Sequence, residues 1–444
     1  MIEAIANILR IPDLRGRIFF TLAMLAIFRL GIFIPAPGVD RVALGEFFAA
    51  NEGTLLGLYN MFSGGALSQY SVFVLGIMPY ISASIIMQLG QVVVPQIERL
   101  KSEGQSGRKK INQYTRYLTI GIAVIQSMAI GLQLEQMKTG GGTDVVIDGG
   151  WDFRLMTMIT MTAGSCFVMW LGEQITDRGI GNGASLIITA GIIAGLPSGL
   201  MQMGQKLEIG EINLLELVLM AGFMFLVVMA IVFIERGQRR VQIQYAKRVV
   251  GRRVYGGQST HLPLKVNVSG VIPPIFASSV MMFPATIGTM FSHPLLEALS
   301  AAFMPGTWIY NLTYIGLIIF FAYFYTAVTF NPVDVADNLR KHGGYVPGVR
   351  PGRQTAEHLD WILTRLTAGG AVYLAAVCIL PTILITRYGL PFYFGGTGLL
   401  IVVGVSLDTV SQIEGHLLTQ HYDGLMEAKV GRSKRGRRRP LGTL

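Results

Sequence analysis

Residues 60–88 read NMFSGGALSQYSVFVLGIMPYISASIIMQ, an apolar stretch with no charged side chain, interrupted by Gly64, Gly65, Gly76 and Pro79. Glycine and proline both weaken a continuous helix. Broken backbone at membrane depth is tolerated only where protein buries it or where it lines a water-filled cavity. The segment is therefore expected to line a path through a membrane.

The remainder of the chain supplies that membrane context. Of 444 residues, 51% are hydrophobic and 14% charged, against about a quarter charged in soluble domains, and the mean hydropathy is +0.51. A transmembrane helix needs about 20 mostly apolar residues. Such stretches begin near Ile18, Ser71, Leu118, Arg154, Gly183, Leu214, Val268, Trp308, Leu366 and Thr397. The expected fold is an all-α polytopic membrane protein with ten spans, the fifth short and glycine-rich, and both termini on one side. Thirty of the 36 Lys and Arg residues lie on that side, five lie opposite, and Arg29 sits within the first span. The positive-inside rule then places both termini in the cytoplasm. Arg15 and Arg17 before an apolar run look like a signal peptide, but the run continues to about Ala36 and into IPAPG without a small-x-small cleavage motif, so a retained span is expected. Cys166 and Cys378 each fall inside an apolar span and are read as small buried hydrophobes.

Five spans precede about residue 212 and five follow, which divides the chain into halves 1–212 and 213–444. Each half has one segment rich in Gly and Pro, 60–88 in the first and Ser269 to Pro284 in the second. Interrupted helices at corresponding places in two halves mark the central pathway of many transporters. Glycine and proline are also commoner in membrane helices generally, and one pair of segments weighs evenly between the two readings.

Two cytoplasmic loops exceed what a connection requires. In 236–265, apolar-polar alternation flanks a Gly-Arg-Arg tip, the pattern of a projecting two-stranded hairpin. Paired Arg252 and Arg253 suit bidentate contact with phosphate or carboxylate, so a large partner, RNA-containing or acidic, is expected there. In 331–364, NLRKHGGYVPGVRPGRQT has the glycines and prolines of a defined turn structure. The C-terminal run GRSKRGRRRP is polybasic and suited to topology and anionic lipid.

Charge inside the spans is confined to Arg29, Asp408 and residues near the ends such as Glu135, Glu216, Glu235 and Glu414. Ion-coupled transport relies on intramembrane ionisable groups, so it is disfavoured, and Asp408 has a capping or packing role as its competing explanation. GIGNGA at 179–184 lacks the spacing and strand context of a dinucleotide fingerprint and reads as a turn into the fifth span. No phosphate-binding loop, zinc-helix pair or serine-nucleophile element occurs. No enzyme is expected and no cofactor is indicated. A conduit remains. Ile81 and Ile85, four apart, share a helix face beside the small Ser82 and Ser84, a pattern that serves helix packing as readily as it forms an apolar gate.

Taken together, NMFSGGALS, GIMPYISASII, GEQITDRGIGNGASLII, KRVVGRR, NVSGVIPPIFASS, NPVDVADNLRK, GYVPGVRPG and GGTGLLIVV closely resemble the SecY family, central subunits of the bacterial protein-conducting channel, over essentially the whole chain. The resemblance implies two pseudo-symmetric five-span halves around an hourglass pore. It implies a function in passing unfolded secretory polypeptides across the cytoplasmic (inner) membrane and releasing hydrophobic segments sideways into lipid. By the same resemblance, Met61 to Gln69 (Met61, Phe62, Ser63, Gly64, Gly65, Ala66 and Leu67 in particular) match a small, mobile half-helical plug. Ile81, Ile85, Ile188, Ile275 and Ile401 match the pore ring, with Ala184 at a sixth position where relatives commonly carry a bulky aliphatic. Gln88 and Gln126 match polar positions of a lateral gate between spans two and three and spans seven and eight, where their amides would bond across helices. Arg252 and Arg253 match the ribosome-facing tip, with contact to ribosomal RNA, and Arg350 matches the loop arginine of motor-driven export. The implied partners are SecE, SecG, the SecA motor ATPase, the ribosome and signal-bearing polypeptides. A secondary transporter of an uncharged solute and an intramembrane protease are the alternatives.

Overall fold

The structure is a computed structural model that describes residues 11–40, 42–45, 63–137, 144–210, 213–245, 248–250, 253–255, 259–290, 302–303, 307–388 and 396–436. Helices occupy every expected span. In the first half they are α1 (Pro12–Ile32), α2 (Met78–Val93), the short α3 (Pro95–Ser102), α4 (Gln105–Gln136), α5 (Trp151–Arg178), α6 (Gly183–Ala194) and α7 (Leu196–Ile209). In the second they are α8 (Leu214–Glu235), α9 (Ile272–Met290), α10 (Trp308–Thr329), α11 (Pro332–Lys341), α12 (Arg353–Tyr388) and α13 (Gly396–Gly436).

Among the described residues, seven helical stretches are long and apolar enough to cross a membrane, and eight if the pair α2 and α3, bent by 99°, counts as one. The first and seventh expected spans are present as α1 and α9, whose apolar runs are shorter. The ten-span count is consistent with this architecture. The fifth span is α6 and α7 in sequence, broken at Gly195 and Pro197, since proline is accommodated in the first turn of a new helix and not inside the old one.

Local sequence accounts for the helix starts. The Asn182 side chain accepts from Ser185 N at 3.3 Å, Thr307 from Tyr310 N at 3.2 Å and Asn331 from Val333 N at 3.1 Å. Asn213 and Glu216 form a reciprocal capping box at α8.

The first half is pinned at both ends of one helix pair. Arg116 of α4 meets Glu173 of α5 at 2.8 Å at one end, and Glu135 of α4 meets Arg154 of α5 at 2.6 Å at the other. The Glu135 carboxylate also accepts from Gly150 N at 3.0 Å. In the second half, α9, α10 and α12 pack in a row. The halves meet along two seams, α9 against α2 and α4 on one side and α13 against α6 on the other.

Between α8 and α9, β1 (Gln238–Tyr245) pairs antiparallel with β4 (Ser259–Lys265), and β2 (Arg248–Val250) with β3 (Arg253–Tyr255). The hairpin expected from alternation is therefore present. An addition is β5 (Gly344–Tyr345) from the second loop, which pairs with Gln244 and Tyr245 to give a sheet of order β4-β1-β5. Val241, Leu264, Val346, Leu359 and Ile362 bury a small separate core beneath it. The two loops are one platform.

Candidate functional site: an occluded apolar constriction

The segment from Ser63 to Ile77 runs as consecutive turns, and helix α2 starts at Met78. This corrects two expectations: the described part of the plug is not a half-helix, and the second span is not helical from Ser71. The cause is local. Gly64, Gly65 and Gly76 have φ of +72°, +87° and +53°, the left-handed region that glycine enters without steric cost and that a helix cannot use. Pro79 then sits in the first turn of α2, where its missing N–H leaves nothing unpaired. Met61 and Phe62 lie outside the described residues.

Turn hydrogen bonds hold this segment, with Tyr70 N donating to Leu67 O at 3.1 Å and Gly76 N to Phe73 O at 2.8 Å. Its neighbours anchor it. Ala36 N donates to Tyr70 O at 2.7 Å and Val72 N to Ile34 O at 3.0 Å, so the chain leaving α1 forms a bridge at Pro35 and Ser71. The buried Tyr70 hydroxyl bonds Thr157 Oγ1 of α5 at 2.8 Å, and the Phe73 ring stacks between Phe28 of α1 and Phe167 of α5.

Immediately inward, the isoleucines singled out from sequence converge. Ile81 and Ile85 of α2, Ile188 of α6, Ile275 of α9 and Ile401 of α13 belong to one buried apolar cluster, with exposures of 6%, 4%, 2%, 5% and 0%. Ala184 packs against it at partial burial. Ala66 belongs to the same cluster and is wholly buried, so the turn segment and the isoleucines share one apolar core. Phe73, Ile77, Ile187 and Ile192 join them; the last two continue the Ala184 and Ile188 faces of α6, a spacing visible in the sequence but not used above.

Gln88 and Gln126 do not make the bond that the resemblance implied. Gln88 Nε2 donates to Ser84 Oγ of its own helix at 3.2 Å, and the side-chain carbonyls of Gln88 and Gln126 are both enclosed without a hydrogen-bond partner. The expected bond across helices is not formed among the described residues, and a buried unpartnered carbonyl costs free energy.

The opposite seam is tied. The GIGNGA turn is a turn, as expected, and it joins four spans. Ile180 N donates to Thr21 Oγ1 of α1 at 3.1 Å, Gly183 N to Thr176 Oγ1 of α5 at 2.9 Å, and Gly181 N to Gln412 Oε1 of α13 at 3.0 Å. Asp408 pairs with Lys265 at 3.7 Å, linking β4 to α13. Glu235 accepts from Asn267 Nδ2 at 2.6 Å, fastening the end of α8 to the start of α9.

On the platform, Arg350 is exposed, and its carbonyl accepts from Thr355 Oγ1 at 2.8 Å, which fixes the loop between Gly348 and Gly352. Arg253 lies in β3 with its side chain outside the description, and Arg252 lies outside the described residues.

A polytopic helical bundle whose centre is an uncharged aliphatic constriction, stoppered by a glycine-turned segment and served by a platform on one face, defines a gated membrane channel. The SecY family model matches residues 71–410. The protein translocase subunit SecY of Escherichia coli K12 is 48% identical over 419 residues, 94% of this chain and of that protein, and that of Pseudomonas aeruginosa is 47% identical over 421 residues with the same coverage. The chain belongs to the SecY family. Among solved structures, a protein-conducting channel superposes with a TM-score of 0.62 at 17% identity, covering 90% of this chain and 91% of that one. Sec61 in a canine ribosome-channel complex superposes with a TM-score of 0.58 at 17% identity, with the same coverage.

Proposed function

We propose that this chain is the passive, gated conduit of a protein translocase in a bacterial cytoplasmic membrane, with both termini in the cytoplasm. Unfolded secretory chains pass through the constriction, and hydrophobic segments leave sideways along the seam of α2 and α4 with α9. The observation that carries this is the convergence of Ile81, Ile85, Ile188, Ile275 and Ile401, from four separate spans, into one buried cluster. Branched aliphatic side chains can part around a polypeptide without retaining it, and they offer an ion no substitute for its hydration shell. Residues 61–69 act as the plug, Ala184 leaves a recess in the ring, and Gln88 and Gln126 tune the side exit.

The chain carries no reaction of its own, so the driving force comes from outside. The platform is the docking surface: Arg252 and Arg253 for a ribosome, including its RNA, and Arg350 for a SecA-type motor. Small subunits of the SecE and SecG kinds complete the complex in the membrane. Support for a ribosome partner comes from the related structure solved in a ribosome-channel complex. Family membership leaves the solute-transporter alternative without support.

Reconstitution tests the proposal. Proteoliposomes holding this chain, its small subunits and the motor are expected to import a signal-bearing precursor when ATP is added. Import that is absent with the motor and ATP, together with solute uptake that needs neither, would sink it.

A further inference from the structure

Arg29 is the one charged side chain in the interior of the first span, and it runs neither to a carboxylate nor to the inner surface. Its Nη1 donates to the carbonyl of Gly64 at 2.8 Å, and its guanidinium carbon lies 5.5 Å from the centre of the Phe33 ring. Among the described residues no carboxylate pairs with it. A hydrogen bond from a charged donor is of the strong class, roughly twice a neutral one.

The acceptor is placed by a glycine at which any side chain would be strained. Gly64 has φ +72°, and a Cβ there would lie 3.0 Å from Gly191 Cα of α6 and 3.3 Å from Ile32 Cδ1. The plug carbonyl is thus aimed at α1 because position 64 has no side chain. Arg29 stands in the last turn of α1, on the outer side of the constriction, where the helix terminus favours a cation. The five isoleucines of the constriction are themselves aliphatic.

We propose that Arg29 is both the latch of the plug and the charge that sets the selectivity of the opened outer mouth. In the shut channel it holds residues 63–66 against α1 through the Gly64 carbonyl. When that segment leaves, the guanidinium loses its acceptor and faces the aqueous mouth. Low-dielectric walls there focus its field, favouring anions and opposing entry of Lys- and Arg-rich stretches of a passing chain. The proposal rests on residues 63–69 being the plug.

The test is single-channel recording of the full chain, with the membrane subunits it retains on purification, in planar bilayers. Arg29→Met is expected to raise the resting open probability on the order of tenfold, the scale of one lost charged hydrogen bond. In a KCl gradient the wild-type openings are expected to prefer anions, with the reversal potential near zero in Arg29→Gln and of opposite sign in Arg29→Glu. Gly64→Ala displaces the acceptor and keeps the charge, so it should raise open probability and leave the reversal potential alone. Arg29→Lys, which keeps the charge, should retain wild-type selectivity and reports that the position tolerates change. An unchanged open probability in both Arg29→Met and Gly64→Ala, or an unchanged reversal potential in Arg29→Glu, overturns the proposal. Deleting residues 63–68 separates it from its premise. Leak from the deletion without leak from Arg29→Met overturns the latch alone, and no leak from the deletion overturns the plug assignment.

Discussion

The constriction and the platform solve opposite problems with opposite chemistry. At the constriction, four spans contribute aliphatic side chains whose shared property matters more than their identities, because the site must close against ions and yield to any polypeptide. On the platform, a sheet assembled from two distant loops covers its own small core and leaves Arg350 exposed nearby, an arrangement suited to the specific docking proposed above. The first region should therefore tolerate conservative change and fail on polarity, and the second should tolerate change in its exposed positions only one partner at a time.

The largest expected effect comes from wetting the constriction. In the triple variant Ile81→Ser, Ile275→Ser and Ile401→Ser, resting ion flux through proteoliposomes should rise at least tenfold, because an apolar neck that gates by dewetting no longer excludes water. The corresponding Ile→Leu variant should stay tight. Leak in both would mean that packing, not polarity, makes the seal.

Next is the platform core. Leu359 is fully buried beneath the sheet, and Leu359→Ala should cost the platform about 2–5 kcal/mol. Protease sensitivity of residues 236–265 should increase, and motor-driven and ribosome-coupled activity should fall together while the resting seal is unchanged. Retention of either activity at wild-type level would show that the loops act independently despite their shared sheet.

A narrower effect is expected from Arg350→Glu. Its side chain is exposed and outside that core, so the fold should survive, with motor-dependent export falling several-fold more than insertion by the ribosome route. Equal loss on both routes would contradict its assignment to the motor. The smallest effect belongs to the side seam. Gln126→Leu removes an enclosed carbonyl that has no partner, a relief of about 1–3 kcal/mol. It should bias the seam shut and lower insertion of weakly hydrophobic segments, measured by glycosylation or protease protection, while leaving secretion of soluble precursors near wild type.

What was legible in the sequence follows the range of the interactions involved. Apolar runs of membrane-spanning length placed the ten spans, and polar caps such as Asn182 and Thr307 start helices where short-range rules say they should. The turn at GIGNGA and the hairpin around Gly251 are likewise local. The identity of the ring, beyond the Ile81 and Ile85 pair, came from resemblance, since no spacing within one chain tells which isoleucines of four spans will meet. The pairing of Gly344 and Tyr345 with Tyr245 and Gln244 was invisible, because two residues of strand a hundred positions away carry no periodicity. The helical reading of Ser71 to Ile77 failed because its apolar character outweighed the glycines whose left-handed backbone turns the chain. Arg29 was noticed as a charge in the first span, but its acceptor is a main-chain carbonyl, which leaves no mark in side-chain sequence.

The central claim is that a polypeptide in transit passes between these isoleucines. A photoreactive residue placed singly at positions 81, 275 and 401, with a precursor arrested midway, tests it directly. Crosslinks to the precursor are expected at all three, and none at the outward-facing Ile159 and Leu226, which are 69% and 63% exposed. Crosslinks at those outer positions with none at 81, 275 and 401 would contradict the account.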